Sequence, residues 1–309
     1  MTVALITHLA CLEHDTGPFH PECADRLRVI LAALEAEEFA LLIREQAPLA
    51  TEAQLGLVHP AHHIRAILGT MPELGLSVDL DADTIMSHGS AEAALRAAGG
   101  AVMAVDAVME GWAHAAFSAT RPPGHHCERA TAMGFCLFAS ASIAARHAQA
   151  RWGLERVAVV DFDVHHGNGT QDIFAADRSL FYGSSHQFPC YPGTGAASET
   201  GVGNIVNVPL PPGSGSAAFR AAWSDLILPA LDKFAPQLII VSAGFDAHKA
   251  DPLAQLRVET ADFAWLTEML MDRAGVHCRG RLVSILEGGY DLKALAECAA
   301  AHVRTLMQH

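Results

Sequence analysis

Short apolar runs rich in Val and Ile alternate along this chain with longer Ala- and Leu-rich segments of helical period, and that alternation limits the fold more than any other feature. A strand covered on both faces reads as an unbroken apolar run, whereas the helix covering it reads with a 3.6-residue period. The pattern predicts an α/β protein, three layers α/β/α around a mostly parallel central sheet. Strands are expected at Val3–Ile6, Ala115–Ser118, Val157–Asp161, Ser179–Tyr182, Ile205–Val208, Leu238–Ser242 and Leu282–Leu286. Helices are expected over Cys23–Glu38, Ser90–Glu110, Phe135–Arg151, Ser216–Phe234 and Ala261–Arg273, with Ser90 and Ser216 as N-caps.

The polar residues that carry chemistry fall just past the strand ends. Asp161 to His166 follows Val-Ala-Val-Val, Gly244 to Asp246 follows Leu-Ile-Ile-Val-Ser, and Glu287 to Tyr290 follows Leu-Val-Ser-Ile-Leu. Ligands of open α/β sheets bind in the crevice beyond the carboxyl ends of the strands, so these distant segments are expected to converge there.

Composition sets the outer limits. With 309 residues, 51% hydrophobic and 17% charged, the chain has material for one large core, and no linker or repeat marks a seam, so residues 1–309 are read as a single catalytic domain. The formal charge of −14 argues against direct binding of nucleic acid, which needs clustered Lys and Arg, and suits a cationic substrate better. No apolar stretch is long enough to span a membrane, and the start lacks the pattern of a signal peptide. Seven irregularly spaced Cys form no disulfide framework, which suits a reducing compartment, and a cytoplasmic protein is expected. The sequence carries no signal of oligomeric state.

Asp161-Phe-Asp-Val-His-His-Gly-Asn-Gly packs two carboxylates and two imidazoles into six residues at the end of an apolar strand. Buried unpaired, such groups cost several kcal/mol each, and a bound metal is the simplest compensation. Asp246 offers a further carboxylate from another strand end. Three protein ligands with an open position for water form the pattern of a catalytic zinc site. Arg121-Pro-Pro-Gly-His125-His126 is a rigid turn presenting adjacent imidazoles, groups able to take and return a proton near neutral pH. Tyr290 follows two glycines that let the backbone come close to the cleft.

These blocks resemble the arginase/histone deacetylase superfamily. The resemblance rests on Arg121-Pro-Pro-Gly-His-His, Asp161-x-Asp-x-His-His-Gly-Asn-Gly, Tyr191-Pro-Gly-Thr-Gly, Ala243-Gly-Phe-Asp246 with Asp251-Pro, and Glu287-Gly-Gly-Tyr290, which occur in the family's order over almost the whole chain. His14-Asp-Thr-Gly-Pro-Phe-His-Pro-Glu22 and Arg26 resemble its class II branch, to which bacterial deacetylase-like amidohydrolases belong.

The resemblance implies zinc-dependent hydrolysis of the acyl-amide of N-acetyl-lysine in a protein or peptide, or of a related acylated amine. It makes Asp163, His165 and Asp246 the zinc ligands, a set that ferrous iron also suits. Asp161, with the hydroxyl of Ser184 and backbone oxygens of Asp163, His165 and Ser185, would hold potassium, and a second potassium site would lie nearer Phe174 among backbone carbonyls. His126 becomes the base and acid, beside Asn168; His125, paired with Asp161, its electrostatic partner; and Tyr290 the donor to the oxyanion. Gly134, Phe135 and Tyr191 would wall the acyl-lysine channel, with Leu253 at its rim, His20, Asp83 and His186 at its mouth, and Arg26 along an inner cavity. The alternatives are an acetylpolyamine or other small-molecule amidohydrolase, an arginase-like enzyme with two manganese ions, and an inactive module that binds acyl-lysine.

Overall fold

The computed structural model describes residues 2–309, so Met1 of the single-domain expectation lies outside the described residues. The strands are β1 (Val3–Thr7), β2 (Ile43–Gln46), β3 (Ser77–Asp79), β4 (Ile85–Ser87), β5 (Ala115–Ser118), β6 (Val157–Asp161), β7 (Leu180–Gln187), β8 (Ile205–Leu210), β9 (Leu238–Ala243) and β10 (Leu282–Leu286). Between them run α1 (Ala24–Ala33), α2 (Glu52–Leu55), α3 (Ala61–Gly69), α4 (Ser90–Glu110), α5 (Ser140–Trp152), α6 (Asn168–Phe174), α7 (Ser216–Ala221), α8 (Leu228–Phe234), α9 (Thr260–His277) and α10 (Leu292–Gln308). Eight strands form one sheet in the order β2-β1-β5-β10-β9-β6-β7-β8, every pair parallel, while β3 and β4 make a separate antiparallel hairpin.

The two-residue period of each strand divides the interior into two cores. Ala158 and Val160 of β6 with Ile239 and Val241 of β9 pack against Trp223, Phe263, Leu266 and Leu295 on one face. Val157, Val159, Leu238 and Ile240 meet Ala98, Ala101, Val105 and Ile143 of α4 and α5 on the other. Helices thus cover both faces, as the apolar runs predict. Strand register then fixes the site: Asp161 lies beside Ser184 of β7 and Ser242 of β9, and Leu286 beside Ala243, so these strands end at one edge.

Several boundaries differ from the sequence expectation. The first helix stops at Ala33, and the one expected from Phe135 starts only at Ser140, because Gly134 and Phe135 take positive φ values of 56° and 68°. The segment Ser216–Phe234 is interrupted by a wide π turn over Ala222–Ile227, just before Pro229, whose missing N–H cannot continue the regular ladder. Ser90 and Ser216 are first helical residues, and Gly89 and Gly215 take the cap positions. The hydroxyl of Ser90 accepts from the Ser87 N–H, and that of Ser216 donates to Asp262. Edge strand β2 and helix α10 have no counterpart in the expected elements. No helix among the described residues is long and apolar enough to cross a membrane.

Candidate active site

The loop after β6 and the loop after β9 bring Asp163, His165 and Asp246 together, with one potential ligand atom from each lying within 4.8 Å of the others. His165 Nδ1 is 3.2 Å from Asp163 Oδ1 and 3.2 Å from Asp246 Oδ2. The carboxylates are held from behind by backbone: Gly288 N–H donates to Asp163 Oδ2 at 2.8 Å and Val164 N–H to Asp246 Oδ1 at 2.8 Å. A Cβ on Gly288 would stand 2.2 Å from Asp246 Oδ2, and one on Gly244 2.0 Å from Asp163 Oδ2, so both glycines are demanded by the close seat of these carboxylates. Burial and the nearby Asp163 push Asp246 up to about 7. Two buried carboxylates and an imidazole converging in this way are a donor set that fits a divalent cation of the zinc or ferrous type.

The turn after β5 supplies the paired imidazoles. Its geometry is set by Glu287, fully buried at the end of β10. Glu287 Oε2 accepts from Gly124 N–H at 2.7 Å and His125 N–H at 3.1 Å, while Oε1 accepts from the Ser242 hydroxyl at 3.0 Å. His125 Nδ1 lies 3.0 Å from Asp161 Oδ2, an oxygen that also accepts from the Tyr182 hydroxyl. Burial pulls His125 down, but Asp163 and Asp161 outweigh it and raise its pKa to about 10. His126 Nδ1 lies 2.8 Å from Asn168 Oδ1, and the Asn168 amide donates to Glu128. Burial, then the charges of His125 and His165, hold His126 well below the usual imidazole value.

The turn is anchored from the N-terminal segment. Arg121 pairs with Glu22 through Nε and, at 2.7 Å, through Nη2, and donates to the carbonyls of Cys11 and His14. Arg26 also grips Glu22, at 2.9 Å, and donates to the carbonyls of Glu287 and Gly289. Its guanidinium lies 4.8 Å from the centre of the Tyr290 ring.

A cavity of about 300 Å³ opens onto this centre, lined by Asp83, His126, Gly134, Phe135, His165, Cys190, Tyr191, Leu253 and Tyr290. Burial raises the Tyr290 phenol well above its ordinary value, keeping it a proton donor. Of the other expected rim residues, His20 touches the cavity wall, 4.7 Å from the Phe135 ring and 3.0 Å from the Asp83 carbonyl. Arg26 sits behind Tyr290, not among the lining residues. His186 is not at the mouth: it is fully buried on β7 between the Ser184 hydroxyl and the Gly195 carbonyl, because it points to the interior with the apolar residues of that strand. Ser184 stands beside Asp161 in the register, and the Ser185 hydroxyl accepts from Trp223.

Sequence reasoning assigned no role to the Glu287 carboxylate, the Tyr182 hydroxyl, the Glu22 pairing or Cys190. Glu22 and Glu287 carried a signal, being acidic residues inside otherwise apolar or motif segments. Tyr182, in the middle of a strand, carried none. A second donor cluster, His59, His63 and Cys127, is already hydrogen-bonded to backbone: His59 to Arg129 O and Ala139 N, His63 and the Cys127 thiol to Leu137 O. It fastens α3 under the turn that bears His125 and His126.

Comparison with known proteins agrees with this geometry. Residues 20–306 match the histone deacetylase domain. The histone deacetylase-like amidohydrolase of Pseudomonas aeruginosa is 42% identical over 96% of this chain and 83% of its own length. Polyamine deacetylase HDAC10 of Mus musculus is 38% identical over 93% of this chain and 45% of its own length. The crystal structure of the HDA15 HD domain superposes with a TM-score of 0.94 at 37% identity, covering 100% of this chain and 88% of that one. With the family's domain matched nearly end to end on an all-parallel eight-stranded sheet, the chain belongs to the histone deacetylase family, within the arginase/deacetylase fold, and is a hydrolase acting on amides.

Proposed function

We propose that the protein removes the acetyl group from N-acetyl-lysine in a peptide or protein, with zinc held by Asp163, His165 and Asp246. The observation that carries this reading is the cavity itself: apolar walls from Phe135, Tyr191 and Leu253 lead to His126, His165 and Tyr290 at its end. Four methylenes fit the walls, and the amide meets the polar end. Zinc at that donor set supplies Lewis acidity toward the acyl carbonyl and acidifies the attacking water.

The chain's own groups do the rest. Asn168 Oδ1 accepts from His126 Nδ1–H, which leaves Nε2 free to take the proton of the attacking water and return it to the leaving amine. His125, kept cationic by Asp161 and Asp163, discourages a resting proton on His126. The Tyr290 hydroxyl donates to the developing oxyanion, a contribution of about 10²- to 10³-fold in rate. Asp161, the Ser184 hydroxyl and backbone oxygens of Asp163, His165 and Ser185 would hold potassium, which would steady the ligand loop.

The whole of 1–309 serves as one catalytic domain, and seven free cysteines support a cytoplasmic location. The polyamine reading has one relative in its favour, but Leu253 puts an apolar group at the rim, where a polyamine calls for a carboxylate. The test is kcat/KM of zinc-loaded protein on acetyl-lysine peptides and on acetylated polyamines. Peptides should be preferred, and Tyr290→Phe should bind peptide yet hardly turn it over. A preference of about tenfold for polyamines would overturn the choice of substrate.

A further inference from the structure

The turn between α6 and β7 gathers three backbone carbonyls around a single side-chain nitrogen. Asn204, 5% exposed just before β8, directs Nδ2 at Phe174 O (2.9 Å), Asp177 O (3.0 Å) and Leu180 O (2.7 Å). A carboxamide nitrogen carries only two hydrogens, so three acceptors at these distances share them. Its Oδ1 is also committed, accepting from Val202 N–H at 3.1 Å, so the amide cannot be flipped to present oxygen to the carbonyls without losing that bond. Phe174 is the last residue of α6, so its carbonyl also bears the negative end of a helix.

Carbonyls converging in this way attract positive charge, and rings of them commonly replace the hydration shell of a monovalent cation. Near Phe174 is where the family resemblance implies a second potassium ion. The centre of the carbonyls is already filled by a donor of partial positive charge, with no room left for an ion at that point. We propose that the Asn204 carboxamide takes the place of this second monovalent cation, so that the protein binds potassium at the Asp161 site alone. The inference rests on the potassium part of the proposed function only for the Asp161 site. At the Phe174 turn it stands on the three contacts.

The test uses thallium(I), a potassium mimic whose anomalous scattering marks each bound ion in crystals of the full chain. Wild-type protein should show no thallium among the carbonyls of Phe174, Asp177 and Leu180, and Asn204→Ala, with Asn204→Ser as a second variant, should gain a peak there. Melting curves establish that the variants are folded. A thallium peak at this turn in the wild type would overturn the proposal, and so would folded variants that leave the turn empty of thallium. The peak beside Asp161 is scored separately: its absence would retire that site and leave the Asn204 assignment standing.

Discussion

Replacing Glu22 by Gln should cost more stability than almost any other single change of charge in this protein. Glu22 is fully buried and is shared by two equally buried guanidiniums, those of Arg121 and Arg26. Burial by itself pushes the carboxyl up, but Arg121, by charge and hydrogen bonds, and then Arg26 outweigh it and hold the pKa at about 2 against an ordinary 4.5. That difference corresponds to about 3 kcal/mol, at the lower edge of the roughly 3–5 kcal/mol lost when one partner of a buried ion pair is removed. In a domain of this size it lowers the melting midpoint by roughly 5 °C. Because the folded pKa lies below the unfolded one, the contribution is complete above about pH 4.5 and is lost as pH falls toward about 2. Urea titrations of wild type and Glu22→Gln at several pH values measure both effects. The variant should lie well below wild type at pH 7 and approach it in acid. The exposed pair of Glu38 and Arg304 is the control, and Glu38→Gln should hardly move the midpoint. If Glu22→Gln were as stable as Glu38→Gln, the buried triad would not be the anchor described above.

Three further outcomes follow from the site. Gly288→Ala places a methyl 2.2 Å from Asp246 Oδ2, so the purified variant should retain little zinc by elemental analysis and lose activity, while keeping a cooperative melt. Glu287→Ala strands the Gly124 and His125 N–H groups, each costing about 1–3 kcal/mol, and should lower kcat more than Glu287→Gln, which keeps an acceptor oxygen in place. Equal kcat values for the two would remove Glu287 from its role in aligning the turn. Leu253→Asp should shift the ratio of kcat/KM toward acetylated polyamines, since a rim carboxylate attracts a second ammonium group; an unchanged ratio would show that Leu253 does not set substrate choice.

The parts of this fold legible in the sequence are those where one local rule governs. The strands β5, β6, β9 and β10 lie buried on both faces, so their composition alone marks them, and the polar residues at their ends mark the site. Strand β2 is polar and mostly exposed at the sheet edge, where pairing with β1 supplies an order its own residues do not signal. The start of the helix expected at Phe135 failed for a different reason: Gly134 and Phe135 are bent out of helical geometry against the His126 ring, a tertiary demand invisible to periodicity. In the same way His186 belongs to a motif-rich stretch, yet its register on β7 turns it inward. The cluster of Asp163, His165 and Asp246 was foreseen through the family resemblance, and two of its three members lie two residues apart in one loop. The carboxylates behind it, Glu22 and Glu287, act across about a hundred residues or more, and distance along the chain hides such pairings.

The grip of Arg26 on the carbonyls of Glu287 and Gly289 joins the first helix to the loop after the last strand. During synthesis the ribosome releases Arg26 long before the carbonyls of Glu287 and Gly289 exist, so a nascent chain halted short of Tyr290 has imidazoles and carboxylates but lacks the Glu287 carboxylate's full setting behind the His125–His126 turn. Activity therefore switches on late, when β10 slots between β5 and β9 in the middle of the sheet. For the same reason a split version of this protein should be inert as separate halves and regain turnover only when the missing central strand is returned.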